Sequence, residues 1–362
     1  MQKLSILAAS LGLALAAIAA PAFAGDTSVG GTMFANFSYI NQQNNGVDTN
    51  ATGYGLDVKR FYLIVNHKFN DVWSANITTD FGYSSGTGAA SVFVKKAFVQ
   101  AKVSDAFVIR AGATDMPWIP FVEGYYGYRY VEPTTTDRLK FANSSDWGLH
   151  ASGNLGDRFN YAVSAVNGAG YKNPTRSKGM DVEGRAAFMP LDGMVIAVGG
   201  YSGHLGKDLE LTPALHTASR ADVMVAYASK TMRLGGEYFA AKNFNNVTTV
   251  ASDKSSGWSL WGSVAIADNG MNVFARYDNT DLSKTLNPSL TEDYWHLGLE
   301  YPVTKGIKIS GVYKYTHRQD NTSIDLKTSE IRRIAIRQAG LSYLFGTVII
   351  AASINLLAGL AG

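Results

Sequence analysis

Between Trp73 and Phe81 the chain alternates: Trp73, Ala75, Ile77, Thr79 and Phe81 fall on one face of an extended segment, and Ser74, Asn76, Thr78 and Asp80 on the other. That period of two predicts a β-strand with one apolar and one polar face. It recurs in 33–40, 159–166, 194–201, 232–241, 271–278, 294–301 and 307–316. Counting every strand-like segment predicts sixteen, starting near residues 32, 56, 72, 91, 106, 145, 158, 180, 193, 220, 231, 255, 270, 292, 306 and 331. The connections between them alternate strictly in length. Tight turns such as Asn70-Asp71, Ser104-Asp105, Gly156-Asp157 and Asp268-Asn269-Gly270 take every second place. Polar Gly/Asn/Ser/Thr-rich stretches (41–55, 82–90, 113–144, 168–179, 204–219, 242–254, 280–291 and 318–330) take the others. A β-sandwich would also alternate, but it has no reason to sort short turns to one end and long loops to the other. The expected fold is all-β: a 16-stranded antiparallel transmembrane β-barrel with short periplasmic turns and long extracellular loops. A barrel of that size keeps a water-filled lumen.

The two ends fit an exported chain. Lys3, the apolar stretch 4–20 and Ala22-Phe23-Ala24 form the charged, apolar and small-x-small regions of a secretory signal, so residues 1–24 are expected to be cleaved. After Gly25 no segment approaches the 18 consecutive apolar residues of a membrane helix. Gly340-Leu341-Ser342-Tyr343-Leu344-Phe345 alternates and ends in Phe, like the C-terminal assembly signal that the barrel-assembly machinery reads. The barrel is therefore expected over 25–345. Residues 346–362 form an apolar tail, unless the last strand lies later.

Composition narrows the chemistry. Charged residues make up 17% of the chain, against about 25% in soluble domains. No Cys is present, which excludes disulfides, thiolate metal sites and a cysteine nucleophile. The net charge is +3, and loss of residues 1–24 removes one lysine and no acid, leaving +2. No basic run marks a nucleic-acid partner. The six histidines show no paired ligand spacing, and GxSxG and P-loop motifs are absent. No catalytic, cofactor-binding or metal residue is assigned, and an enzyme is not expected. His150 and His296 fall inward by phase, without a Ser/Asp constellation evident around His150.

Lys59-Arg60-Phe61-Tyr62-Leu63, Asn70-Asp71-Val72-Trp73-Ser74-Ala75, Lys96-Ala97-Phe98-Val99-Gln100 and Arg110-Ala111-Gly112 resemble the early strands of the porin family that includes the phosphate-selective porins O and P. The resemblance covers roughly the first 150 residues. It implies a sixteen-stranded, usually trimeric barrel in the outer membrane of a Gram-negative bacterium, with a loop held in the pore. The arginine ladder and lysine cluster of that family find no residue-by-residue match, so phosphate selectivity does not carry over.

The longest loop, 113–144, stands where such porins place their constriction. Its prolines and aromatics suit packing against a wall, although an extracellular cap or a trimer contact would use them too. Within it Asp115, Trp118, Glu123, Tyr125, Tyr128, Arg129 and Arg138 are the candidate constriction residues. Strand phase places Trp73, Phe107, Ile109, Phe159, Met271, Trp295 and Ile307 toward lipid, and hence Arg60, Asp80, Lys96, Lys102, Arg110, Arg185, Arg276, Lys308 and Lys314 toward the lumen. Arg233, Lys68, Glu183, Asp222, Glu237, Asp278 and Glu300 share that inward phase, so basic residues outnumber acidic ones. Bulges would shift individual assignments. The last strand already conflicts: the phase that turns Tyr343 and Phe345 outward also turns Arg333 and Arg337 outward. The expected function is passive diffusion of small hydrophilic solutes with a mild anion preference, with outer-membrane lipids and two identical chains as partners. The alternatives are a channel specific for phosphate, another polyanion or a sugar, and a plugged structural or adhesive barrel.

Overall fold

The computed structural model describes residues 26–83 and 90–339. Sixteen long strands follow in chain order: β1 (Asp26–Asn44), β2 (Gly53–Lys68), β3 (Trp73–Tyr83), β4 (Ala90–Ser104), β5 (Phe107–Asp115), β6 (Ser145–Leu155), β7 (Phe159–Val166), β8 (Asp181–Phe188), β9 (Met194–Gly203), β10 (Ala218–Ala228), β11 (Met232–Lys242), β12 (Lys254–Ala265), β13 (Asn272–Asp281), β14 (Thr291–Thr304), β15 (Ile307–Gln319) and β16 (Asp325–Ala339). A two-residue segment, Val47–Asp48, pairs with the end of β1. Each strand pairs antiparallel with the next, and β16 pairs with β1 from Thr32↔Ala339 to Asn44↔Leu326. The sheet thereby closes on itself, as a lipid surround requires.

Sequence dictates the sidedness. Trp73, Phe107, Ile109, Phe159 and Trp295 are all exposed on the outer surface, while their polar strand neighbours point into the barrel. Near the outer rim Trp295 lies 5.2 Å from Tyr313 and Trp258 5.3 Å from Tyr277, part of an aromatic belt. The tight turns are made by local chemistry: the Asn70 carboxamide oxygen accepts the Val72 and Trp73 amides at 2.9 and 2.8 Å, folding 69–72 back on itself.

Bulges rephase the alternation, two of them at positions that bear on the lumen. Thr78 and Thr79 pair with Lys96 and Val94, so Lys95 is an extra residue in β4. In β16 the partners of Phe37 and Ser38 are Ile334 and Arg332, which makes Arg333 the extra residue. In the same ladder Arg337 pairs with Phe34. The strands also run longer than hydrophobic periodicity indicates. β1 begins at Asp26 instead of near 32, and β16 begins at Asp325 instead of 331, which shortens the last loop to 320–324. Residues 325–330 are polar on both faces and rise above the apolar band; their ladders to β15 and β1 define them as strand. The segments 1–24, 340–345 and 346–362 lie outside the described residues.

Two short helices, α1 (Ile119–Tyr126) and α2 (Thr135–Arg138), interrupt the third long loop, which runs from 116 to 144.

Candidate functional site

The third loop folds into the barrel. Its base is closed by the Met116 amide on the Ser144 carbonyl at 3.1 Å. Pro117 and Pro120 bend the chain inward, and α1 ends at Gly127, whose φ of 81° is the left-handed conformation that glycine adopts without penalty. Trp118 is fully buried against the wall. Its backbone amide donates to Glu183 at 2.9 Å and its indole N–H to Glu237 at 3.3 Å. The ring lies over Gly199, where a Cβ would come within 2.6 Å of it. Tyr126 meets Trp261 at 6.0 Å and Tyr128 stacks on Phe274 at 4.2 Å. With Val122, Tyr130 and Val131 these side chains form an apolar core inside the lumen, against residues of β1 and β8–β15.

Arginines and lysines of the same wall clamp the loop. The Arg276 guanidinium holds Asp278 at 2.6 Å and donates to the Pro133 carbonyl at 2.6 Å and the Thr135 hydroxyl at 3.0 Å. Arg185 donates to the Pro117 carbonyl at 2.9 Å and covers the Phe121 ring at 3.6 Å. Arg220 joins Asp222, Glu183 and the Phe141 carbonyl, and Arg332 joins Glu330 and the Val131 carbonyl. From the loop side, Arg138 pairs with Glu292 and Asp278, and Glu132 with Lys314. Burial would raise the Glu132 carboxyl, but Lys314 and Arg332 hold it well below the ordinary range. These groups are buried or half-buried and hold one another, so removing one partner strands a charge or a carbonyl.

The opposite half of the interior is open. Along the inner face of β2–β5 a cavity of about 310 Å³ is lined by Tyr62, Thr78, Lys95, Lys96, Phe98 and Arg110, among others. Below the loop a second space, about 680 Å³, is lined by Tyr62, Glu123, Arg129, Arg233, Glu300 and Lys308, among others. Lys96 pairs with Asp115 at 2.5 Å, Arg60 with Asp80 at 3.2 Å and Lys308 with Glu300 at 2.6 Å. Lys95 differs. It is 8% exposed, donates to the Tyr62 hydroxyl at 3.0 Å, lies over the Tyr62 ring, and has no carboxylate within ion-pair distance among the described residues. Arg110 is equally without one, donating to Gln100 at 2.8 Å and Ser152 at 3.3 Å. On the loop side Glu123 pairs with Arg129, which also reaches Asp137 at 3.2 Å. Burial pushes the Glu123 carboxyl up to about 7, Arg129 opposing it. Lys172, from the fourth loop, sits 4.3 Å over the Phe93 ring, and its ammonium is pushed down by burial and by the nearby Arg60, Lys140 and Lys95 charges.

The residues singled out from sequence thus fall into three groups. Lys96, Arg110 and Asp115 line the smaller open space and Glu123, Arg129 and Lys308 the larger one, while Arg60 and Tyr125 are half-buried and Asp80 is fully buried as the partner of Arg60. Arg185, Arg276 and Lys314 point inward but lie beneath the loop, and Trp118, Tyr128 and Arg138 form its wall-facing side. Lys102 is exposed at the short-turn end and pairs with Asp105 at 2.7 Å, away from the loop. Sequence phase missed Lys95, because the bulge breaks the alternation there; the doublet Lys95-Lys96 inside an alternating segment was its signal. It also missed that His150 meets Ser164 at 2.7 Å, a buried contact across neighbouring strands β6 and β7.

The profile of the Gram-negative porin family matches residues 9–321. No curated protein sequence matches significantly. Among solved structures, the anion-selective porin from Comamonas acidovorans is 13% identical, with a TM-score of 0.64 over 87% of this chain and 99% of that one. The outer membrane channel DcaP of Acinetobacter baumannii is 12% identical, with a TM-score of 0.62 over 87% and 97%. OmpF of Salmonella typhi, in complex with daunomycin, is 13% identical, with a TM-score of 0.58 over 86% and 97%. At such identities the likeness is one of fold. A closed sixteen-stranded barrel, an inward-folded third loop, open polar space beside it and the family match lead to one conclusion: the chain belongs to the Gram-negative porins and forms an outer-membrane channel through which solutes diffuse passively.

Proposed function

We propose that this porin passes small hydrophilic solutes with a preference for anions, and that the third loop narrows the path against β2–β5. The observation that carries the reading is the pair Lys95 and Arg110, two cations lining the open cavity with no carboxylate within ion-pair distance among the described residues. Fixed charge in a narrow aqueous path biases the permeant ions through its local potential. Under the loop Arg220, Arg276, Lys314 and Arg332 contribute little to that potential, being paired with acids within a few ångströms, and Arg185 lies covered by the loop. That a fold relative from Comamonas acidovorans is described as anion-selective is consistent with the reading.

Reversal potential in a planar bilayer under a potassium chloride gradient tests it. The wild type is expected to favour chloride, and Lys95→Gln with Arg110→Gln to lose most of that preference at unchanged folding. A wild type favouring potassium would overturn the anion reading and leave the porin. A folded barrel without conductance would favour a loop that plugs the lumen.

The approach of Lys95 and Lys172 to one ring, 5.7 and 6.0 Å from Tyr171, with Arg60 and Lys140 nearby, supports a second reading, in which these cations form a phosphate or polyanion site. Saturable block of chloride current by phosphate would separate it from a general pore. We also infer cleavage after Ala24 and assembly as a trimer. N-terminal sequencing of the membrane-extracted protein and its mass in detergent test these two.

A further inference from the structure

The outer surface carries a feature that conduction does not use. Along β11 the outward positions are Leu234, Gly236, Tyr238, Ala240 and Lys242, running toward the long-loop end. At Gly236 a Cβ would stand 2.7 Å from the Leu260 side chain, so Leu260 can lie across the glycine. An apolar trough of about 830 Å³ opens there, lined by residues including Val225, Leu234, Leu260, Tyr277 and Leu297. Above Tyr238 a second recess, of about 410 Å³, has Ala221, Ala240 and Ser256 in its floor and Lys242, Lys254 and Lys284 on its rim. Four residues separate Tyr238 from Lys242. At about 3.3 Å per residue along a tilted strand, the lysines stand one headgroup layer beyond the aromatic belt.

The charge arrangement there is unbalanced. Lys242 and Lys254 face each other directly across the β11–β12 ladder, and like charges in that position repel. Neither has a carboxylate within ion-pair distance among the described residues. The two nearby acids are engaged: Asp281 lies 3.3 Å from Lys284, and one oxygen of Asp253 accepts the amides of Lys254, Thr285 and Leu286 at 2.8, 3.0 and 3.4 Å. An anion bridging Lys242 and Lys254 would remove the repulsion. At this height on the lipid-facing side, the anion that also supplies an apolar body for the trough is the phosphate of a lipid.

We propose that the outer face of β11 and β12 is a binding site for a phosphorylated lipid of the outer leaflet. Its phosphate sits between Lys242 and Lys254, and an acyl chain passes Tyr238 into the trough at Gly236. This site is independent of the ion preference of the pore.

The test uses the full-length porin, reconstituted in phosphatidylcholine vesicles doped with bisphosphorylated lipid A, then extracted in mild detergent and weighed by native mass spectrometry. The wild type is expected to retain lipid A, and Lys242→Gln with Lys254→Gln to weaken retention about fivefold for each lysine removed, with single-channel conductance unchanged. Dephosphorylated lipid A should bind the wild type as weakly as lipid A binds the variant, a comparison that decides the matter even if the variant fails to fold. Equal retention by variant and wild type, or equal retention of the dephosphorylated lipid, overturns the proposal. So does a variant whose oligomer dissociates while its lipid content is unchanged, since the face would then be a contact between copies.

Discussion

The two halves of the barrel interior use the same residue types to opposite ends. Under the third loop, Arg185, Arg220, Arg276, Lys314 and Arg332 are buried and spend their donors on carboxylates and on loop carbonyls. Across the lumen, Lys95 and Arg110 line open space and meet only neutral groups: the Tyr62 hydroxyl, the Gln100 carboxamide and the Ser152 hydroxyl. One half is a polar adhesive that fixes a loop, and the other leaves two cations lining a cavity without an acid in ion-pair contact. A count of inward arginines and lysines therefore misstates the pore, because a cation held against a carboxylate adds little to the potential along the path.

The comparison breaks first at Arg276. Arg276→Ala leaves Asp278 with one cation fewer, and the Pro133 carbonyl and Thr135 hydroxyl without their donor. The expected cost is about 3–5 kcal/mol, read as a lowered denaturant midpoint in lipid vesicles, and the freed loop should make single-channel current noisy. Lys95→Glu with Arg110→Glu should leave stability nearly untouched. It should instead lower the chloride-to-potassium permeability ratio by about tenfold, enough to reverse the sign of a weak preference in the bilayer measurement.

A smaller effect is expected with pH. Glu123, pushed up to about 7, lines the open space below the loop. Lowering pH through that value neutralises it and strengthens anion preference, and raising pH weakens it. Glu123→Gln should flatten the dependence between about pH 6 and 8. The smallest effect is expected at Lys102, exposed and paired with Asp105 at the short-turn end. Lys102→Gln should leave the reversal potential unchanged within error, and a shift as large as that of Lys95→Gln would mean that the selectivity-setting charge lies outside the loop-bounded half.

Much of this was legible along the chain. The period-two faces, the sorting of short and long connections and the length of the third loop all follow from local rules: alternate side chains of a strand point to opposite faces, and a barrel in lipid must be apolar outside. Trp73, Ile109 and Trp295 could be assigned outward on that rule alone. It failed at Lys95, because a bulge adds one residue without changing composition, and at residues 325–330, which are strand only through their ladder partners.

Sequence alone determined that the chain closes into a sixteen-stranded barrel and that many basic side chains point inward, since both depend on near-neighbour alternation. Only the tertiary structure decided which of those charges count. The third loop lies across one half of the wall through contacts between residues far apart in sequence, such as Trp118 with Glu237, Arg276 with Pro133 and Lys314 with Glu132. Pairing and burial remove the charges it covers from the aqueous path, and no periodicity records where a distant loop will settle.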